Sequence, residues 1–107
     1  MWLAGELKRR VVIEQPREAV NSLGETTLTW SEFASAWASI EGLSVREIVQ
    51  SGRQQAVISY KVRMRRVPGI TTRMRLRWNG GVLNIQSILY RGKQLEDIEV
   101  LCAEESD

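Results

Sequence analysis

The clearest pattern in the chain is an alternation of apolar and polar residues in its second half. Over residues 56–66 and again over residues 72–78, apolar side chains recur at every second position, and lysine or arginine fills most of the positions between them. A period of two is typical of β-strands that bury one face. Both segments are therefore predicted to be half-buried strands with a basic outer face.

Turn-forming residues delimit further strands. Pro68-Gly69 lies between the two segments, and Asn79-Gly80-Gly81 is a strong signal for a tight hairpin that leads into a strand at residues 82–90. A last strand is predicted at about residues 94–103. Near the start, residues 8–15 are rich in β-branched side chains and predict a first strand that stops at Pro16, and residues 16–25 predict a loop.

Residues 27–40 fit two patterns. Trp30, Phe33 and Trp37 recur at helical spacing, whereas the alanines from residue 34 to residue 38 alternate as they would in a strand interrupted by a bulge. Periodicity leaves both possibilities open. The three aromatic side chains are expected in the core, because aromatics dominate burial in a small domain.

A short helix is predicted over residues 45–51. Ser44 followed by Glu47 forms a capping-box pattern, and Gly52 can end a helix in a left-handed conformation. So short a helix must dock on something or remain mobile. The whole pattern predicts an all-β fold, a small barrel or sandwich of about six strands with one short helix inserted midway.

Composition predicts one compact domain over residues 1–107, since 43% of the residues are apolar. The charges are distributed unevenly: all 15 Lys and Arg residues lie in residues 1–93 with 7 acids, and the other 6 acids lie in residues 94–107. A basic body with an acidic end suits electrostatic complementarity between copies or partners.

Several function classes are not expected from this composition. The chain has no histidine, which removes the commonest general base, and Cys102 is its only cysteine. No phosphate-binding loop, metal-ligand spacing or nucleophile elbow is present, so neither an enzyme nor a metal or cofactor protein is expected. No apolar run is long enough to span a bilayer. We expect synthesis in the cytoplasm and no membrane partner.

Arg73, Arg75 and Arg77 admit three interpretations. They form a solvated face with ion pairs to the last strand, a contact with another protein chain, or a grip on DNA. If residues 61–65 paired with residues 73–77 in a hairpin, like charges would face each other, unless acids of another chain neutralised them. An interface is therefore favoured over DNA binding, since the arginine face of the predicted strand has no aromatic side chains on which bases could stack. The interface candidates are Arg63, Arg65, Arg73, Arg75, Arg77, Trp2, Asp97 and Glu99.

Five segments together resemble a known family. They are AGELKRRVVIEQP, NSLGETTLTW, WASIEGLSVREI, YKVRMRRVPGITTRMRLRWNGGVLNIQSI and VLCAE. In this order and spacing, over nearly the whole chain, they are similar to the head-tail joining proteins of long-tailed phages, prophages and gene transfer agents. Members of this family are also called head-tail adaptor or head closure (stopper) proteins. The chain departs from the usual pattern at Tyr90-Arg91-Gly92 and at Asn21-Ser22.

The resemblance implies a six-stranded antiparallel β-barrel with the short helix inserted midway, and it favours a strand for residues 27–40. It also implies a virion structural protein, made in the host bacterial cytoplasm, that forms a ring at the head-tail junction, of twelve copies in related systems. The ring would extend or close the DNA channel after packaging and dock the tail. The implied partners are the portal or adaptor ring, tail proteins, other copies of the chain, and DNA that passes without sequence-specific binding.

The same resemblance makes the excursion around the predicted helix a candidate for a channel or gate element. Its candidate residues are Ser44, Arg46, Glu47, Gln50 and Arg53. A second function class also fits the pattern: a nucleic-acid-binding β-barrel of OB type, in which basic residues on strands hold a single strand.

Overall fold

The computed structural model describes residues 7–50 and 52–106, with side chains throughout except at residues 44–50, 53–56, 105 and 106. Six strands make up its regular structure: β1 (Arg9–Val20), β2 (Thr26–Gln50), β3 (Arg53–Arg65), β4 (Arg75–Trp78), β5 (Gly81–Arg91) and β6 (Asp97–Ser106). Within the described ranges there is no helix, and so none that could cross a membrane.

The six strands form one antiparallel sheet that closes on itself. The strand order is β1-β2-β3-β6-β5-β4, and β4 returns to pair with β1. This closing seam is short, running from Val12 opposite Arg77 to Glu14 opposite Arg75. The prediction of an all-β fold with six antiparallel strands is confirmed. Because side chains alternate across a strand, closure directs one face of every strand toward a common interior.

The core fills that interior. The inward alternation predicted for residues 56–66 and 72–78 is confirmed, since Val62, Met64 and Leu76 are fully buried. The loop between β3 and β4 adds Ile70 and Met74 to the same cluster. The remaining members of the buried core cluster are Val11, Ile13, Ala38, Leu83, Ile85, Ile98, Val100 and Cys102.

The helix predicted over residues 45–51 is wrong, because residues 45–50 belong to β2. They pair with β3 from Val45 opposite Ile58 to Gln50 opposite Arg53, and Gly52 (φ 74°) lies in the turn. A seven-residue helix is marginal on its own, and this segment contains three β-branched residues that favour a strand. Pairing with β3 therefore outweighs the local capping pattern.

The first half of the loop predicted over residues 16–25 is strand. β1 continues through Pro16 to Val20, and the turn is confined to the residues between Val20 and Thr26. Past Glu14, β1 has β2 as its described partner on one side only, and edge strands tolerate a proline. The result is a long β1–β2 hairpin.

Residues 27–40 form a strand with a bulge, as the resemblance favoured. Ile13 lies opposite Ala34 and Glu14 opposite Glu32, so Phe33 is the extra residue. Of the three aromatic side chains expected in the core, Phe33 packs against it. Trp37 is 52% exposed, and Trp30 is only half-buried and lies outside the core cluster. The core prediction is wrong for both tryptophans.

Candidate functional site

Two of the predicted arginines lie on the seam between β4 and β1. Arg75 Nε donates to Glu14 Oε1 at 2.8 Å, and Arg77 Nη1 lies 3.5 Å from Glu14 Oε2. The Arg75 guanidinium carbon is 4.1 Å from the centroid of the Trp30 ring, within the range of a cation–π contact. Arg75 is therefore held between a carboxylate and an aromatic face, and only 24% of its side chain is exposed.

A second charged group joins β3, β6 and β5. Arg65 Nη1 lies 2.8 Å from Oδ1 of the buried Asp97, and Lys61 Nζ lies 3.3 Å from Glu99 Oε1. Arg91 also pairs with Glu99. Burial alone raises the pKa of Glu99, but the hydrogen bonds and positive charges of Lys61 and Arg91 outweigh it, so that the pKa is lowered from its usual value.

The pairing of β3 with β4, on which the like-charge argument rested, does not occur. β3 lies between β2 and β6, where Arg63 faces Glu99 and Arg65 faces Asp97. Acids of the same chain thus supply much of the negative charge that the sequence seemed to require from another chain. Glu14 was the partner missed, although it is the single acid among the β-branched residues of the first strand.

Only some of the predicted arginines remain exposed to solvent. Arg73 is exposed, and the described residues give it no ion pair, while 59% of the Arg77 side chain is exposed. Arg63 is half-buried beside the acids of β6. Trp2, the remaining interface candidate, lies outside the described residues.

The channel or gate candidates lie together near the tip of the β2–β3 hairpin. Arg46 is opposite Val57, and Gln50 is opposite Arg53. β6 accompanies β3 only as far as Ala56, so the last three residue pairs of the hairpin have no described third strand. Ser44 and Glu47 occupy strand positions in the same hairpin. The sequence predicted a helix around these residues, and they lie in a strand hairpin instead. Their role in a channel or gate stays a prediction.

A groove that was not predicted from the sequence lies at the end of the β1–β2 pair where β1 begins. Its volume is about 630 Å³, and Trp37 forms part of its wall. The Arg10 guanidinium carbon lies 5.4 Å from the centroid of the Trp37 ring, and Arg10 Nη2 donates to Ser35 Oγ at 2.8 Å. The alternation of alanines over residues 34–38 was the available signal, because it places Trp37 on the outer face.

Cys102 has no exposed surface to react from. Its side chain is almost fully buried in β6, and burial raises the pKa of the thiol to about 12. Among the described residues, no group of three or more His, Cys, Asp or Glu side chains is placed to hold a metal ion.

Residues 3–105 match the model of the family described as phage head completion protein, so this chain belongs to that family and is a phage head structural protein. The resemblance to head-tail joining proteins is thereby confirmed at the level of the family. No curated protein is a significant match.

Two solved structures share the fold. One is a chain from the virion of a native gene transfer agent particle, with a TM-score of 0.78, 19% identity, and coverage of 94% of this chain and 96% of that chain. The other is protein SF1141 from Shigella flexneri 2a, solved in solution, with a TM-score of 0.69, 21% identity and 96% coverage of both chains. At such identities the likeness shows a common fold.

Proposed function

We propose that this protein is a connector of a tailed phage or prophage that assembles as a ring at the head-tail junction. There it extends or closes the DNA channel after packaging and presents a surface to the tail. One geometric observation carries this proposal within the family: the β2–β3 hairpin projects beyond the closed sheet. β2 continues for 12 residues past Ala38, where its pairing with β1 ends.

The hairpin suits a channel element because its body is firm and its tip is weakly held. At about 3.3 Å per residue, the 12 residues of β2 past Ala38 span about 40 Å. The last three residue pairs have no third strand among the residues that the structure describes, and two-stranded segments are only marginally stable in water. Segments that move at a gate come from such low-stability regions. Ser44, Arg46, Glu47, Gln50 and Arg53 are the positions proposed to line or close the channel.

The charged outer layer, formed by the interface candidates on β3, β4 and β6 together with Arg73, is proposed to contact neighbouring subunits or the next ring. Arg73 and Arg77 are its most available cations, while Arg63, Arg65 and Arg75 hold the layer in place together with Asp97 and Glu99. Trp2 also remains a proposed contact. Heterologous contacts of this kind, repeated between identical copies, close into rings when the rotation allows it. The virion in which a chain of this fold occurs supports an assembly of this type.

The test is electron microscopy of DNA-filled heads prepared with and without the protein. We expect a ring of density at the portal vertex, retention of DNA and joining of tails only when the protein is present. If heads that lack the protein keep their DNA and join tails, the connector function is wrong.

A second preparation separates the gate from the ring. Residues 48–55 are replaced by Asn-Gly, which forms a two-residue hairpin turn between Glu47 and Ala56 and shortens the tip by three residue pairs. We expect these rings to assemble and to leak DNA. A matched control keeps the length of the hairpin and replaces Ile48 and Gln55, a pair that contains no gate candidate, by threonine; its rings should retain DNA. If the shortened ring retains DNA as well as the wild type does, the tip is not the gate.

An OB-type nucleic-acid-binding protein remains the second candidate, and one observation favours it. Trp37 lies beside Arg10 in a groove that Arg65 and Arg66 also line, and single-strand binders combine aromatic and basic side chains in this way. Such a protein would bind single-stranded DNA as a monomer, with an affinity that falls steeply as salt rises. A connector would bind the same DNA weakly and attach to portal-capped heads.

A further inference from the structure

The β1–β2 arm, defined here as residues 15–31, leaves the closed sheet as a two-stranded ribbon. β1 pairs with β4 only as far as Glu14, and β2 pairs with β3 only from Ala38 onward. Thr27 Oγ1 and Thr29 Oγ1 donate to carbonyls of β1 at 3.2 and 3.3 Å, which adds side-chain bonds to the backbone ladder. The arm is therefore an ordered projection with open edges on both sides.

The tip of the arm presents apolar side chains to water. Asn21 Oδ1 accepts the backbone N–H groups of Leu23 and Glu25, each at 2.9 Å, and so fixes the turn. Val20, Leu23 and Leu28 are 70%, 80% and 56% exposed. Single exposed leucines are ordinary, but three large apolar side chains at the end of a preformed ribbon mark an interaction site.

The groove beside Trp37 has a shape and a composition that such a tip could fill. It is an open depression of about 630 Å³ whose lining includes both apolar and basic residues. Its apolar lining comprises Leu7, Ala36, Trp37 and Val67, and its basic lining comprises Arg65 and Arg66.

The charges around the two surfaces are opposite in sign. Glu18 lies across the ladder from Leu28, and Glu25 lies in the turn, so two exposed carboxylates flank the apolar tip. Arg17 is exposed in the same arm, whose charged residues therefore sum to a net charge of −1. Arg65 and Arg66 line the groove, and Arg10 lies over the Trp37 ring. An apolar projection with acidic flanks thus matches a depression lined by apolar and basic residues, an arrangement that favours the correct partner and register.

One molecule cannot make this contact with itself. Leu28 and Trp37 lie nine residues apart on the same strand, which is about 30 Å at the rise of a β-strand. We therefore infer that copies of this protein join head to tail, with the tip of the β1–β2 arm of one copy seated in the Trp37 groove of the next. This inference rests on the proposed ring and identifies its subunit contact.

Disulfide trapping tests the contact directly. A chain with Leu23→Cys and Ser35→Cys carries one thiol at the arm tip and one at the groove, while Cys102 is buried and stays unreactive. Mild oxidation of DNA-filled heads carrying this variant should give a ladder of covalent multimers up to the ring. Each single variant should give no species beyond a dimer.

Substitutions at the tip test whether the contact is needed for assembly. Leu23→Asp combined with Leu28→Asp should leave the thermal melting of the isolated chain unchanged and reduce ring occupancy on heads at least tenfold. Leu101→Asp is the matched control, because Leu101 is 39% exposed and lies on β6 opposite Lys61, in neither the arm nor the groove lining. Its occupancy should equal that of the wild type.

Three results would overturn the contact. A normal ring without a crosslink between residues 23 and 35 would refute it while leaving the connector function intact. A crosslink within one chain between Leu3→Cys and Ser35→Cys would show that the chain's own N-terminal residues fill the groove. Single-stranded DNA that quenches Trp37 fluorescence, and displaces the arm from the groove, would assign the groove to nucleic acid.

If wild-type protein forms no ring on heads, the connector function fails, and the contact is then decided by the same oxidation in concentrated solution. A head-to-tail ladder there supports the contact, and its absence refutes it.

Discussion

Glu14 is predicted to hold the closed sheet together at its shortest pairing. The seam between β1 and β4 has three residue pairs, and Glu14 is the one described acid that bridges to both Arg75 and Arg77 across it. Replacing Glu14 by glutamine keeps the size of the side chain but removes its charge. The Arg75 guanidinium, three-quarters buried, then loses its counter-charge.

The magnitude follows from the two contacts. A hydrogen bond to a charged partner contributes about 1.5–3 kcal/mol, whereas an exposed ion pair contributes about 0.2–1 kcal/mol. The 2.8 Å bond to Arg75 belongs to the first kind, and the 3.5 Å contact to the half-exposed Arg77 belongs to the second. We expect Glu14→Gln to lower the free energy of unfolding by about 2 kcal/mol, or the melting temperature by about 10 °C.

The assay combines thermal melting with amide hydrogen exchange. Glu14→Gln should speed exchange in residues 75–78, because the short β4 depends on this seam. Glu18→Gln is the control on the same strand, since Glu18 is exposed and should change stability by no more than about 0.5 kcal/mol. If Glu14→Gln melts within about 2 °C of the wild type and β4 stays protected, the charges do not hold the seam.

Three further outcomes follow from the structure. Arg73→Glu should weaken assembly with the fold intact, whereas Arg75→Glu should lower the melting temperature of the isolated chain. Equal melting temperatures for the two variants would contradict this. Gly69→Ala should destabilise by about 1–3 kcal/mol in chemical denaturation, because φ is +86° and a methyl group would meet the Phe33 ring at 3.0 Å. The pKa of Glu99 is lowered in the folded state, so its contribution to stability is present above the unfolded carboxyl pKa and is lost as pH falls. The difference in the free energy of unfolding between the wild type and Glu99→Gln should therefore shrink below about pH 5.

The strands with strong alternation could be predicted from sequence, and the hairpins with misleading local signals could not. Asn79 and Gly80 both have positive φ, as the tight-turn signal predicted, and β5 lies where the pattern placed it. Only the last four residues of the strand predicted over residues 72–78 form β4. Pro16 and the Ser44 capping pattern predicted a loop and a helix. Neither signal includes the backbone ladder to the other strand of the hairpin, which supplies hydrogen-bond partners along the segment and outweighs local preference.

The charged residues of the candidate site were named from the sequence, but the strands that lie beside them were not all identified. Asp97 and Glu99 do share a face with the basic residues of β3, as the solvated-face interpretation required. The error was to pair strands that are neighbours in sequence. β6 instead lies between β3 and β5, and the strand that faces Arg75 begins the chain. Which strand closes a sheet depends on the whole topology, so no local pattern reveals it.

The internal pairing changes what the arginine row contributes to function. Charges that hold β4 against β1 also fix the base of the β1–β2 arm, because Glu14 is the last residue of β1 that pairs with β4. Trp30, which lies over Arg75, belongs to the arm itself. The row therefore acts first on the rigidity of the element proposed to join subunits, and an arginine substitution that impairs assembly is informative only when the isolated chain melts as the wild type does.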